Sequence, residues 1–311
     1  MVLSKYLKFP TYEVKSYPKN EIGKVQELFS KAFGGRQLSL DGVHWQMEQN
    51  PFLRERAVSL WQGDMLVAYT ALTPCPALLY GNDIVSAVSG TTMANEDFPG
   101  ASFQLLSECA KQNNDIQIIY GFPNRNSFGI CIKQLKYHYV GDVAFWTAKA
   151  VKQTVTNKIQ AFSEFTDEYE KISRVFSQTH IFIKARKKDY LNWRFFQKPG
   201  NDYKGFEYID SKQRGYIVVD VYEEKGLKQL QVVDLIADTK EVLQELLRYS
   251  INLANEWNCK IVKLWLTSVM YNDVLEKCGF VYGDHPFPMI CWSQDLDINN
   301  SYITMIDSDI F

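Results

Sequence analysis

The sequence predicts an α+β protein made of two similar halves, each a mixed central sheet flanked by helices. Two observations carry this expectation. Apolar and helix-stopping residues recur at an offset of 147–148 residues, and in each half the apolar period switches from 3.6 to roughly 2 and back. The length agrees: 311 residues give each half about 150, enough to bury a core of its own.

The first helical stripe is Ile22, Val25, Leu28 and Phe29, with Asn20 as N-cap and Gly34-Gly35 as the stop. Its repeat is Tyr169, Ile172, Val175 and Phe176, opened by Thr166-Asp167. The next block repeats more closely. His44-Trp45-Gln46-Met47-Glu48-Gln49-Asn50-Pro51 parallels Asn192-Trp193-Arg194-Phe195-Phe196-Gln197-Lys198-Pro199, with Trp, Gln and Pro all offset by 148. The proline ends the helix because it has no N–H and clashes backwards. An antiparallel meander follows in each half: Val58–Trp61, Met65–Thr70, Ala77–Tyr80 and Ile84–Ala94, then Phe206–Ile209, Tyr216–Tyr222 and Leu227–Leu235. Each half then reads helix, strand, helix, strand. The expected division is 1–150 and 151–311, with residues 148–160 as the joint.

Charged residues are 23% and hydrophobic residues 46%, which excludes a largely disordered chain. Lys plus Arg is 34 against 36 acids, so broad charge-driven binding to nucleic acid or a membrane surface is not expected. No apolar run approaches the length of a membrane span, and lysines break Met1–Lys8, so no signal peptide is read there. Cys75, Cys109, Cys131, Cys259, Cys278 and Cys291 show neither metal spacing nor a CxxC pair. A reduced, cytoplasmic protein without a metal is expected, as monomer or homodimer.

Two segments bear on function. Thr91-Thr92-Met93-Ala94-Asn95-Glu96-Asp97-Phe98-Pro99-Gly100-Ala101-Ser102-Phe103 ends a long strand and opens a helix, and Tyr120–Gly129 follows the next strand. With the order of elements, these segments resemble the GNAT superfamily of acyl-CoA-dependent N-acyltransferases, over nearly the whole chain and twice. In that family the first loop holds the coenzyme A pyrophosphate on backbone N–H groups and the helix dipole. The resemblance implies acyl-CoA as co-substrate, bound by Met93, Ala94, Pro99, Gly100, Ala101, Ser102 and Phe103. Pro99 stands where the family has Arg, and Ser102 where it has a second Gly. Asn124 and Asn126 would meet the pantetheine arm. The second half carries Asp238 and Glu241 at the matching turn, which would repel a pyrophosphate, so one site is expected. The family's proton-donating Tyr falls on Ile132 and Leu275, which cannot donate.

Acyl transfer to an amine needs an oxyanion donor, for which a backbone N–H of the Met93–Ala94 stretch is read, and a base. His44 and Glu48, one turn apart, and Asp309 are the candidate catalytic residues. Trp45, Tyr120 and Asp307 are the candidate substrate contacts, with core packing as the competing role for the first two and a solvated tail for Asp307. His138, His180 and His285 gain nothing from their sequence neighbours. The tandem layout, the Trp-x-x-x-Gln-x-Pro helix and the closing Tyr302–Asp309 look most like bacterial N-acyltransferases of nucleotide-linked (dTDP- or UDP-) amino sugars used in surface polysaccharides. The partner so implied is a small amine acceptor, and the group moved is acetyl or another short acyl, hydroxyacyl included. Fem-type aminoacyltransferases also have two such halves, and a non-catalytic tandem scaffold is the third reading.

Overall fold

A computed structural model of the chain describes residues 10–52, 56–143, 145–211, 213–283, 287–292 and 296–308, apart from the side chain of Asn126. The first half runs β1 (Glu13–Lys15), α1 (Ile22–Ala32), α2 (Leu40–Glu48), β2 (Arg56–Gln62), β3 (Met65–Leu79), β4 (Asn82–Ala94), α3 (Ala101–Gln112), β5 (Ile118–Gly121), α4 (Arg125–Gly129, extended by a π-helical turn), β6 (His138–Val143) and β7 (Trp146–Lys149). The second runs β8 (Ile159–Phe162), α5 (Glu168–Phe176), β9 (Phe182–Lys184), α6 (Lys188–Leu191, extended by the π-helical turn Asn192–Phe196), β10 (Lys204–Ile209), β11 (Arg214–Glu224), β12 (Leu227–Ala237), α7 (Lys240–Glu256), β13 (Ile261–Leu264), α8 (Asn272–Lys277), β14 (Val281–Tyr282), β15 (Phe287–Trp292) and β16 (Ser301–Tyr302). The α+β class and the paired order of elements are those the sequence predicts.

The two sheets mirror each other. One is ordered β1-β2-β3-β4-β5-β15-β6 and the other β8-β10-β11-β12-β13-β7-β14. Each half therefore lends one strand to the other. β15 leaves the second half to lie antiparallel between β5 and β6, and β7 leaves the first to lie antiparallel between β13 and β14. The lent strands are buried where they insert, at Met289, Ile290 and Cys291 and at Trp146 and Ala148. Neither sheet is complete without the other half. β9 and β16 add a further link, since β9 pairs with Ala77–Leu79 of β3 and β16 pairs with β9.

β3 is a single 15-residue strand that runs through Pro74 and Pro76, where the sequence suggests two, Met65–Thr70 and Ala77–Tyr80. The strand survives because its ladder with β4 runs unbroken through both prolines, while its other edge is paired only up to Leu72 by β2 and again from Ala77 by β9. Both missing N–H groups fall in that gap, so no ladder bond is lost.

The repeated tryptophans meet at the centre. The Trp45 and Trp193 rings stack at 4.3 Å and 12°. Each indole N–H donates to the other's backbone carbonyl, at 2.9 and 3.1 Å. Such a reciprocal contact marks a pseudo-two-fold axis between the halves, as in an isologous interface. α2 and the turn after α6 lie on it, and Trp45 belongs to the large core that spans both halves.

Candidate functional site

β4 pairs with β5 only over Ser86–Val88, yet continues six residues to Ala94. Past Val88 the β4–β5 ladder ends and β5 stops at Gly121, and the ground between the end of β4 and the chain after β5 is the slot of this half. Gly121 sits at its root, where a Cβ would stand 3.2 Å from the Ser89 carbonyl oxygen. Within the slot β4 bulges, because Thr91 and Thr92 together oppose Thr70, and Thr91 takes φ +46°. A β-branched residue there is strained. The Thr92 hydroxyl bonds the Thr70 hydroxyl at 2.7 Å and helps hold the bulge.

The loop after β4 is tightly built. Asn95 accepts the Asp97 amide on Oδ1, Phe98 N donates to Asn95 O, and Tyr12 donates its hydroxyl to Pro99 O. Gly100, at φ +82°, turns the chain into α3, a conformation that costs glycine little. Ala101 is buried and spends its N–H on Phe98 O, while Ser102 is half-buried and Phe103 exposed. First-turn amides have no carbonyl partner within a helix, so this start suits an anion. Asp97, which would oppose one, is paired with Lys31 at 2.6 Å. Met93 packs in the core under α1 and α2, whereas Ala94 packs toward α3. Asn124 is exposed and accepts the Ser127 amide, capping α4.

The corresponding slot of the second half is filled. β12 pairs with β13 over Gln229–Val232 and runs on to Ala237. Between the diverging ends lies the chain's own segment 301–307. The Tyr302 hydroxyl donates to Leu235 O, the Thr304 hydroxyl to Asp234, and Thr267 donates its hydroxyl to Ser301 O and its N–H to Ile303 O. Asp234 is also bonded by Arg186 and by the Tyr216 hydroxyl, all with no exposure. At the α7 start, Thr239 caps Val242 and Asp238 accepts the Arg214 amide, its carboxyl raised above the usual range by burial.

Beside the end of β4 is a cavity of about 180 Å³. Thr73, Val88 and Thr91 form one wall, α2 gives Trp45 and Gln46, and the second half gives Lys184, Tyr190, Arg194 and Lys198. Gln46 and Arg194 are repeat mates, each following its Trp. Gln46 donates to the Thr73 hydroxyl at 2.7 Å and Arg194 to Ser308 O at 3.4 Å. At the cavity wall Lys184 donates to Ile306 O, with Asp307 at 3.7 Å behind, and Tyr120 donates its hydroxyl to Asp307. Burial pushes the Tyr120 and Tyr190 hydroxyls well above the usual tyrosine range, so both stay protonated donors.

The structure thus gathers Trp45 at the cavity and puts Tyr120 and Asp307 directly beneath it, fully buried and bonded to each other. It places Pro99, Gly100, Ala101, Ser102 and Phe103 at the slot mouth and Met93 and Ala94 along its strand. His44 and Glu48 bond each other at 3.0 Å on another face of α2, where Glu48 also meets Lys19, whose bond lowers its carboxyl's pKa. Asp309, His285 and the Asn126 side chain lie outside the described residues. All six cysteines are buried and none forms a disulfide, and no group of three potential metal ligands occurs among the described residues. No helix is long and apolar enough to cross a membrane. Lys184, Tyr190, Arg194 and Lys198 were not singled out from sequence. The 148-residue offset, which puts Arg194 where the first half has Gln46, was the signal for one of them.

No sequence-family model matches the chain, and no curated protein matches it. Solved structures do. A GCN5-related N-acetyltransferase from Anabaena variabilis has a TM-score of 0.67 at 12% identity, over 90% of this chain and 72% of its own. The fold is that of the GCN5-related N-acetyltransferases. A probable N-acyltransferase from Enterococcus faecalis has this fold too, with a TM-score of 0.67 at 15% identity over 93% and 74%. Saccharomyces cerevisiae N-myristoyltransferase with bound myristoyl-CoA reaches 0.61 at 12% identity over 97% and 90%. At these identities the likeness is one of fold, and it spans both halves of the chain.

Proposed function

We propose that the chain is an N-acyltransferase that moves an acyl group from coenzyme A to a primary amine. The observation that supports this is the asymmetry of the slots. In the first half β4 runs on past its ladder with β5, beside a glycine-turned helix start and a cavity lined by Val88 and Thr91, whereas in the second half 301–307 lies at the matching place. In this reading residues 1–150 hold the donor and 151–311 complete the acceptor pocket. The pantetheine arm lies between β4 and β5, with its diphosphate at Pro99–Phe103 and Asn124 and Asn126 beside the arm.

The amine nitrogen attacks the thioester carbonyl, the C–N bond forms and the C–S bond breaks. One ammonium proton leaves to a base or water, and the departing thiolate takes a proton. A backbone N–H of the bulged Thr91–Ala94 stretch is the proposed oxyanion donor. Water is the proposed proton donor in place of the apolar Ile132, because the Tyr190 hydroxyl bonds the buried Cys75 thiol and burial makes it a weak acid. Of the candidate bases, Asp309 follows the cavity residue Ser308 in the chain and is favoured over the His44–Glu48 pair. The acceptor we would test first is a nucleotide-linked amino sugar, which the tandem layout suggests.

Calorimetric titration with acetyl-CoA tests the reading. One molecule per chain is expected, with affinity lowered at least about tenfold by Gly100→Glu, through charge repulsion and the φ of that position. Asp238→Ala should leave binding unchanged. Two sites per chain, or no heat at millimolar acetyl-CoA, would refute it.

A further inference from the structure

We infer that Lys31, on α1 rather than on the loop after β4, belongs to the donor site, where its ammonium supplies the positive charge for a bound diphosphate. This rests on the acyl-transfer reading and adds a residue to its donor side. The loop's own charge opposes a diphosphate. From Thr91 to Leu106 the chain carries Glu96 and Asp97 and neither lysine nor arginine. The free amides at the start of α3 attract an anion, but with the weight of only about half a unit charge. A cation has to come from another part of the fold.

α1 brings it. Val25 and Leu28 of α1 share a core with Met93 of β4, and Lys31 sits in the last turn of α1. Its Nζ stands 2.6 Å from Asp97 Oδ2. Glu27, one turn back, has the usual i,i+4 spacing for a partner, yet the ion pair formed is with the loop. Asp97 is itself fixed, because its N–H donates to Asn95 Oδ1 and the next amide, Phe98 N, donates to Asn95 O. Lys31 and Asn95 line one groove, so the ammonium stands at the loop that leads into Gly100 and α3. Stability does not account for the pair. Its side chains are 50% and 66% exposed, and ion pairs so well hydrated add little. The effect is on local potential: Asp97 is cancelled, and the flexible lysine stem can turn its compact charge from carboxylate to phosphate oxygen. Asp97 thus competes with the diphosphate for Lys31, which fixes the sign of each substitution.

Calorimetric titration tests this with acetyl-CoA and with acetyl-dephospho-CoA, which keeps the diphosphate and lacks the 3′-phosphate. At an ionic strength of about 0.1 M, Lys31→Gln should bind each donor at least about threefold more weakly and Asp97→Asn at least about threefold more tightly. Lys31→Gln/Asp97→Asn should return most of the way to the wild type, and all these shifts should shrink in about 0.5 M salt. Lys24→Gln removes the same charge from the same helix, where Lys24 is held by Glu21 and Asp64 O, and should stay within about twofold of the wild type. Thermal unfolding of each variant should match the wild type, because the side chains are exposed. A loss in Lys31→Gln that vanishes with acetyl-dephospho-CoA would move Lys31 to the 3′-phosphate and overturn the assignment. Unchanged affinity in Lys31→Gln, unchanged or weaker binding in Asp97→Asn, or an equal loss in Lys24→Gln would overturn it too. Donor binding by the wild type without these shifts sinks this inference alone, whereas no binding of acetyl-CoA sinks the acyl-transfer reading with it.

Discussion

Asp234→Asn is the sharpest probe of the filled slot. The Asp234 carboxylate accepts Arg186 at 2.9 Å, the Thr304 hydroxyl at 2.7 Å and the Tyr216 hydroxyl, with no part of it exposed. Neutralising it leaves a buried guanidinium without its partner, which costs about 3–5 kcal/mol. Set against a total stability of about 5–15 kcal/mol, that is a large fraction. Removing both charges in Arg186→Met/Asp234→Leu should cost no more than about the single change, and well short of the sum of the two single changes, because the surviving penalty is two hydroxyls short of an acceptor, at about 1–3 kcal/mol each. Urea unfolding followed by circular dichroism reads both. Hydrogen exchange at 301–307 reads the slot itself, and in Asp234→Asn these amides should exchange faster than those of β12. A single variant within about 0.5 kcal/mol of the wild type, or unchanged exchange at 301–307, would refute the claim that this carboxylate pins the segment.

Two further outcomes follow from buried groups. Trp45→Phe and Trp193→Phe each remove one indole N–H from the axis, costing about 1–3 kcal/mol in urea unfolding, and a double-mutant cycle should return a coupling of about 0.5–1.5 kcal/mol; zero coupling would mean that the halves do not share this contact. His180 donates Nδ1–H to Phe176 O and accepts the Ser268 hydroxyl on Nε2, and burial holds its pKa below 6.5. The unfolded chain therefore binds a proton that the folded chain refuses, and stability falls as pH drops below about 6.5, by at most about 1.4 kcal/mol per pH unit. Unfolding curves at pH 7.5 and 5.5 should differ less in His180→Gln than in the wild type, and an equal difference would refute the assignment.

Much of the fold was legible because local rules sufficed. Amphipathic stripes, glycine stops and turn residues locate both helical pairs and both meanders. The strand exchange was not legible, for a physical reason. When two halves repeat, Trp146–Lys149 and Phe287–Trp292 meet equivalent neighbours whether each stays at home or crosses over, so the apolar pattern is the same in both arrangements. Only the chain path between β6 and β7, and between β14 and β15, separates them. The merging of β3 escaped detection differently. Pro74 and Pro76 read as breakers on any single strand, and their harmlessness depends on a gap in the neighbouring edge that the sequence does not display.

At the candidate site the helix start was legible and the cavity was not. Gly100 and its neighbours announce a helix start by residue type. Arg194 and Lys198 look like the solvated face of a helix until the two tryptophans lock that helix onto the axis and turn them inward. The axis also explains why two equivalent slots would be redundant on the proposed function. Gln46 and Arg194 reach the cavity from symmetry-related positions, so the cavity lies close to the axis and both slots would open toward it. With room for about 180 Å³ it admits one acceptor end. A second thioester would compete for that end and gain nothing. Segment 301–307, tied down through Asp234, Leu235 and Thr267, spends the second slot on holding Ser308 at the cavity instead, and the symmetry of the fold is broken where the chemistry needs one donor facing one acceptor.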